Sequence, residues 1–297
     1  MNFGRRTPVA ESERIIARAL ERGVTVFDTA NVYTDGESEK IVGRALKAAR
    51  DRVQIHTKVG AGRVDGKPEG LSPERIRAAA DESRRRLGVD RLDVYYFHVN
   101  DPATPLAGSL GAMADLQASG VVGQLGVSNH AAWQILEMMT TPGAPRPAIA
   151  QVMYNLLVRQ IETEFVGFAR RHPIHTTVYN PLAGGLLTGR HAPGQPPRGS
   201  RFDRNRLYQD RYWSERFFEL AGSFQAVATA EGMSLLELSY AWLAGCPHVD
   251  SILVGPGSVA HLDDALDAVT RVVSPAGRQR IDVIFRDYLG TDASYVR

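Results

Sequence analysis

Short runs of β-branched and aromatic residues alternate with stretches of helical spacing along most of this chain. The first run, Val24-Thr25-Val26-Phe27, stops at Asp28. A polar turn carries Tyr33, and Asp35 to Glu39 opens a stretch whose apolar positions Ile41, Val42, Ala45 and Leu46 share one helical face. The order is strand, loop, helix, and it recurs. Lys58 closes Val53 to Thr57, His98 closes Leu92 to Phe97, and Ser128 and Asn129 close Val121 to Val127. Ile149 to Met153 reads as a further strand with Gln151 inside it. Ile174 to Tyr179 and Ser251 to Val254 complete seven.

Helical patterns fill the connections. Before the first strand, Ile15, Ile16, Ala19 and Leu20 form a stripe, with Glu11 and Glu13 in the favourable first turn. Ser72-Pro73-Glu74 supplies an N-cap, a first-turn proline and an acid at the positive end of the dipole. Ile76, Ala79, Ala80, Ser83 and Leu87 follow as a buried stripe ended by Gly88. Ser234-Leu235-Leu236-Glu237 is a capping box. Strands joined by helices predict a parallel sheet with right-handed crossovers. The expected class is α/β, a (β/α)8 TIM barrel whose first strand is missing or irregular. A doubly wound open sheet is the alternative. It calls for a glycine-rich phosphate turn after its first strand, and Asp28-Thr29-Ala30-Asn31 is not one.

Composition narrows this picture only a little. A chain of 297 residues, 43% hydrophobic and 23% charged, can bury a full core as one barrel domain over residues 1–297. A net charge of +2 gives no reason to expect a nucleic-acid or membrane partner. The single cysteine, Cys246, excludes an intrachain disulfide and fits a reducing cytoplasm. Within an apolar stretch it reads as a small core residue, and no metal site is expected. The Pro/Gly/Arg-rich segment 189–212 is long enough to be a lid loop.

The strand ends carry the chemistry. Barrel active sites lie at the C-terminal ends of the strands, and Asp28, Tyr33, Lys58 and His98 stand at three successive ones. A phenol with a reference pKa of about 10 is a poor acid at neutral pH. A neighbouring ammonium lowers that pKa, a carboxylate keeps the ammonium charged, and an imidazole orients a carbonyl oxygen. The set suits protonation of the alkoxide that forms when a carbonyl accepts hydride.

Asp28 to Tyr33, Thr57-Lys58, Tyr95 to His98 and Gly126 to Asn129 resemble the successive signatures of the aldo-keto reductases. Met1 to Arg6, Ser128 to Trp133, Asn180 to Gly189, Arg211-Tyr212-Trp213 and Tyr295-Val296-Arg297 are most similar to the aflatoxin-aldehyde and succinic-semialdehyde reductase branch. The resemblance covers nearly the whole chain. It implies a barrel that binds NADPH, with NADH possible, and reduces aldehydes or ketones. Tyr33 would be the proton donor, tuned by Lys58 and Asp28, with His98 orienting the carbonyl. Ser128, Asn129 and Gln151 would hold the nicotinamide carboxamide, and Tyr179 would stack under its ring. Asn180, Pro181, Leu182, Gly184 and Leu186 would follow the pyrophosphate. Gly255, Gly257, Ser258, His261 and Asp264 would line the adenosine pocket, and Arg211 and Arg297 the substrate mouth.

Two departures qualify that reading. The family's first barrel strand would precede Met1, so an N-terminal extension is expected. The loop Gly255-Pro256-Gly257 also lacks the basic side chain that many relatives use for the 2′-phosphate, and Ala265 replaces an asparagine. Arg201 is expected to serve instead. The partner is expected to be a small-molecule carbonyl substrate, and the protein a cytoplasmic monomer or homodimer. Two other functions stay open: reduction of nucleotide-linked keto sugars in secondary metabolism, and a non-catalytic nucleotide-sensing subunit on the same fold.

Overall fold

The computed structural model describes residues 2–291. The chain separates into two compact units. The first comprises Met1–Val152, His172–His175 and Gly255–Leu262, and the second Met153–Arg171, Thr176–Val254 and the chain from Asp263 onward.

In the first unit, strands β1 (Val26–Asp28), β2 (Gln54–Val59), β5 (Leu92–Phe97), β6 (Val122–Ser128) and β7 (Ile149–Met153) lie side by side in that order. A small antiparallel hairpin, β3 (Arg63–Val64) with β4 (Lys67–Pro68), interrupts the glycine-rich loop after β2. All pairings in the larger sheet are parallel, with Asp28 opposite His56, Lys58 opposite Tyr96 and Ser128 opposite Gln151. This register brings the polar strand ends to one edge of the sheet.

Helices α1 (Val9–Glu21), α2 (Glu37–Leu46), α3 (Pro73–Leu87), α4 (Leu106–Ala118) and α5 (Ala132–Thr140) make the connections. Helix α3 starts and stops as its sequence predicts. Ser72 Oγ accepts Arg75 N–H at 3.2 Å, Pro73 follows, and Gly88 ends the helix at φ +65°. Where α2 meets the end of α3, only a glycine fits: a Cβ on Gly43 would lie 2.1 Å from the Leu87 carbonyl oxygen.

The second unit holds the parallel pair β8 (His175–Tyr179) and β9 (Ser251–Ile252), with β8 beginning at the last residue of the first unit's short segment. Its helices are α6 (Phe165–Arg171), α7 (Arg206–Tyr212), α8 (Glu215–Ala230), α9 (Leu235–Ala244), the later turns of α10 (Val259–Ala268), and α11 (Pro275–Leu289). Tyr240, Ala265 and Ala268 form a cluster against Leu182, Leu236, Ile252 and Val254. Ala265, where the resemblance leads one to expect asparagine, is therefore a core residue here.

Much of the proposed lid, 189–212, is folded. Phe202 is fully buried and packs against Trp213 with the rings tilted and their centroids 4.6 Å apart, and α7 begins at Arg206. The sequence pattern missed α7 because aromatic contacts hold it, with no apolar stripe of its own. Cys246 is buried, its Sγ 3.3 Å from the Trp242 carbonyl oxygen, as expected of a core thiol. Among the described residues no helix is long and apolar enough to cross a membrane.

The close approach at Gly43 gives a paired test. Gly43→Ala should destabilise the protein by about 1–3 kcal/mol through overpacking, although alanine is the better helix former. Gly111→Ala on α4, where an added Cβ meets nothing within 4 Å, should stabilise by about 0.5–1 kcal/mol. Urea unfolding of the two variants beside the parent measures both signs.

Candidate active site

Lys58 is the centre of the first unit's polar edge. Its side chain is wholly enclosed, and its ammonium donates to one Asp28 carboxylate oxygen and, at 2.7 Å, to the Thr29 carbonyl. Gln151 Nε2 donates to the other Asp28 oxygen at 2.8 Å. Both oxygens of the carboxylate are thereby engaged, which is what a buried charge needs. Burial lowers the Lys58 pKa, while Asp28 and Glu39 raise it. The ammonium lies 5.3 Å from the centre of the Tyr33 ring. His98 meets that ring edge-on, with 5.7 Å between centroids. Burial, with Lys58 adding to it, pushes His98 down to about 3, so the imidazole is neutral at physiological pH. Its Nδ1 is buried without a protein partner.

Local backbone strain shapes the turn that bears Tyr33. Tyr33 N–H donates to Ala30 O at 3.1 Å, and Thr34 and Asp35 adopt φ values of +51° and +55°. These are costly for residues with side chains. Thr34 Oγ1 holds the turn by donating to Phe3 O at 2.9 Å and accepting Ser38 N–H at 3.1 Å.

Two buried carboxylates brace the same region, and the sequence reading named neither for the site. Glu69 accepts from Asn31 Nδ2 at 2.6 Å, from the amides of Gly60 and Gly62 at 2.9 and 3.0 Å, and from Arg75 Nε at 3.0 Å. It ties the loop after β1 to the loop after β2. Glu39 accepts from Thr57 Oγ1 at 2.5 Å and Arg86 Nε at 2.6 Å, behind Lys58. Glu39 had a sequence signal, an acid in register with Val42 and Leu46 on the buried stripe of α2. Glu69 had none, since its partners come from three separate segments.

Ser128 and Gln151 are paired across β6 and β7. Asn129 turns the chain at φ +59° and donates through Nδ2 to His98 O at 2.9 Å and Ser128 Oγ at 3.0 Å. Ser128, Asn129 and Gln151 are the three residues expected to hold a carboxamide, and the structure gathers them beside Asp28 and His98. One hydroxyl and two amides fit a group with one acceptor and two donors. Gln151 has, besides, the bond to Asp28 that the sequence did not foresee. In the same unit, Ser258 caps α10, its Oγ accepting His261 N–H at 3.2 Å. Gly257 lies against the His261 ring, 3.5 Å from where its Cβ would be, and Asn2 Nδ2 donates to Gly255 O at 3.4 Å.

The second unit groups the other expected residues. Tyr179 ends β8, and Asn180 turns the chain at φ +59° into Pro181 and Leu182. Gly184 and Gly185, at φ +72° and +115°, shape the turn that continues through Leu186. The Tyr208 ring lies against Gly184, where a Cβ would come within 2.7 Å of it. The guanidinium groups of Arg201 and Arg211 both approach Tyr208, at 5.0 and 5.9 Å from the ring centre. Separate tasks are expected of these two arginines, yet they share one aromatic support. Burial raises the Tyr179 pKa and Arg211 lowers it. Asp264 is exposed on α10. Arg297 lies outside the described residues.

Comparison with known proteins identifies the family of the chain. The sequence model described as the aldo/keto reductase family matches residues 1–285. Human aldo-keto reductase family 7 member A3 is 34% identical over 290 residues, covering 90% of this chain and 86% of that protein. A rat protein named aflatoxin B1 aldehyde reductase member 2 is 35% identical over 289 residues, covering 90% and 78%. An Arabidopsis thaliana protein named as a probable voltage-gated potassium channel subunit beta is 31% identical over 280 residues, covering 91% and 85%. The chain belongs to the aldo/keto reductase family, nicotinamide-dependent oxidoreductases of irregular (β/α)8 barrel fold.

Proposed function

We propose that this protein reduces aldehydes or ketones to alcohols with NADPH, and that Tyr33 is the proton donor. The observation that carries the reading is the enclosed Lys58–Asp28 pair beside the Tyr33 ring. Reduced nicotinamide supplies the hydride when bound. Tyr33 gives its proton to the carbonyl oxygen as negative charge develops there. The Lys58 ammonium stabilises the phenolate left behind, and Asp28 keeps Lys58 charged and aimed. Neutral His98 offers one ring N–H to the same oxygen without competing as an acid. Ser128, Asn129 and Gln151 would hold the carboxamide, with Tyr179, Asn180, Pro181, Leu182, Gly184 and Leu186 following the ring and pyrophosphate. Gly255, Gly257, Ser258, His261 and Asp264 would take the adenosine, and Arg201 its 2′-phosphate.

The substrate is a small carbonyl compound, and the protein works in the cytoplasm as a monomer or homodimer. The likeness to potassium channel beta subunits favours a second reading, a nucleotide-sensing subunit that binds cofactor and turns over slowly. Titrating cofactor fluorescence beside steady-state turnover over a panel of aldehydes and ketones separates the two.

Tyr33→Phe should lower kcat by about 10²–10⁴-fold, the range for loss of general-acid catalysis, with the NADPH dissociation constant nearly unchanged. Retained turnover would take the role from Tyr33. His98 gives a second test. With its pKa near 3 it stays neutral as pH falls from 7 to 5, so kcat should not decline across that window. A decline centred near 6.5 that vanishes in His98→Gln would show instead that His98 titrates during turnover. Arg211 gives a third, through the charge-assisted fork an arginine offers a carboxylate. Succinic semialdehyde should have a lower KM than an uncharged aldehyde of similar length, and Arg211→Ala should narrow the gap. Equal KM values in the parent would argue against a carboxylate-binding mouth.

A further inference from the structure

In (β/α)8 barrels a phosphate site commonly forms from the loops after the last strands and a helix N-terminus. Here that place is the Gly255-Pro256-Gly257-Ser258 loop and the start of α10, and the first unit already brings a carboxylate to it. Glu11, from the first turn of α1, accepts the Val259 backbone N–H through Oε1 at 3.1 Å. Its side chain is only 16% exposed, and its other oxygen accepts from Arg14, which is mostly in solvent. The Ser258 hydroxyl is likewise committed, to His261 N–H. An anion gains at a helix N-terminus from exposed amides and the dipole. At α10 a side chain of the protein takes both. The loop adds no Lys or Arg, and His261 is its only basic side chain.

We infer that Glu11 is a cofactor-selecting residue, whose carboxylate stands where a 2′-phosphate would be recognised and disfavours it. The inference rests on the proposed adenosine position. The physical effect is like-charge repulsion between Glu11 and a 2′-phosphate. It is strengthened by partial burial of Glu11 and moderated by Arg14. A dinucleotide with a free 2′-hydroxyl meets no such repulsion, and a carboxylate can accept its hydrogen bond, as acidic residues do in other NAD sites. Glu11 therefore narrows the preference for NADPH over NADH.

Dissociation constants for NADPH and NADH, measured by fluorescence titration at one fixed low ionic strength, test this. Glu11→Gln keeps an oxygen that can accept Val259 N–H and removes only the charge. It should tighten NADPH about tenfold relative to NADH while leaving NADH within about twofold of the parent. Arg14→Ala, an exposed change that unmasks the carboxylate, should move the ratio in the opposite direction. Ratios insensitive to both changes, in variants that melt like the parent, overturn the selecting role while leaving the reductase reading intact. Failure of the parent to bind either dinucleotide would refute the reductase reading itself.

Discussion

The site depends on keeping an ammonium charged inside protein. Removing a lysine from water costs several kcal/mol, returned only if a counter-charge and hydrogen bonds meet it at close range. Asp28 and the Thr29 carbonyl do so for Lys58, and Gln151 completes the second oxygen of Asp28. Taking away one partner of such a pair typically costs about 3–5 kcal/mol. Those contacts are therefore part of the fold as well as of the candidate site. The same enclosure depresses His98, because burial strips water from an imidazolium and the nearby Lys58 charge repels it.

Charge reaches outward from that pair along α3. Arg86 meets buried Glu39, and Arg75 meets buried Glu69, while Glu82 contacts both arginines at 2.8 and 3.7 Å. Glu39 steadies Thr57, the residue before Lys58. Glu69 steadies Asn31, two residues before Tyr33, and the two amides just beyond β2. One helix thus carries the cations that let two carboxylates sit inside, and those carboxylates fix the backbone segments beside Lys58 and Tyr33. Exposed ion pairs contribute little. These have one partner almost fully enclosed, which makes them matter for placement.

What was legible in the sequence follows from the range of each interaction. Strand ends at Asp28, Lys58, His98 and Ser128, the cap at Ser72 and the stop at Gly88 are decided within a few residues, and the chain reads them out directly. Gln151 could be placed on a strand, but its bond to Asp28 joins positions 123 residues apart and no local pattern records it. The burial of Phe202 depends on Trp213, which in turn packs against Phe218, so a Pro/Gly/Arg-rich stretch looked like open loop. Strand β9, only two residues long, marks the other limit: its apolar run continues to Val254, but pairing in the sheet ends at Ile252.

Strain is distributed where the polar residues are. Among the described residues, seven without glycine's freedom have positive φ, and Thr34, Asp35, Asn129, Asn180 and Ala183 all fall within a few positions of a site residue. Asn129 and Asn180 each stand one place beyond a strand, directly after Ser128 and Tyr179. Asparagine tolerates the left-handed region better than most residues, and here it also secures the turn. Asn129 Nδ2 reaches His98 O, and Asn180 Oδ1 accepts from the Tyr208 hydroxyl at 3.4 Å. An abrupt left-handed step stops the strand without a long loop, so the preceding side chain stays fixed by sheet pairing right up to the edge. Glycine could make the same step, but it would forfeit the side-chain bond and give the unfolded chain more freedom to lose. The strained asparagines are thus the means by which rigid strands hold Ser128 and Tyr179 fixed at their very ends.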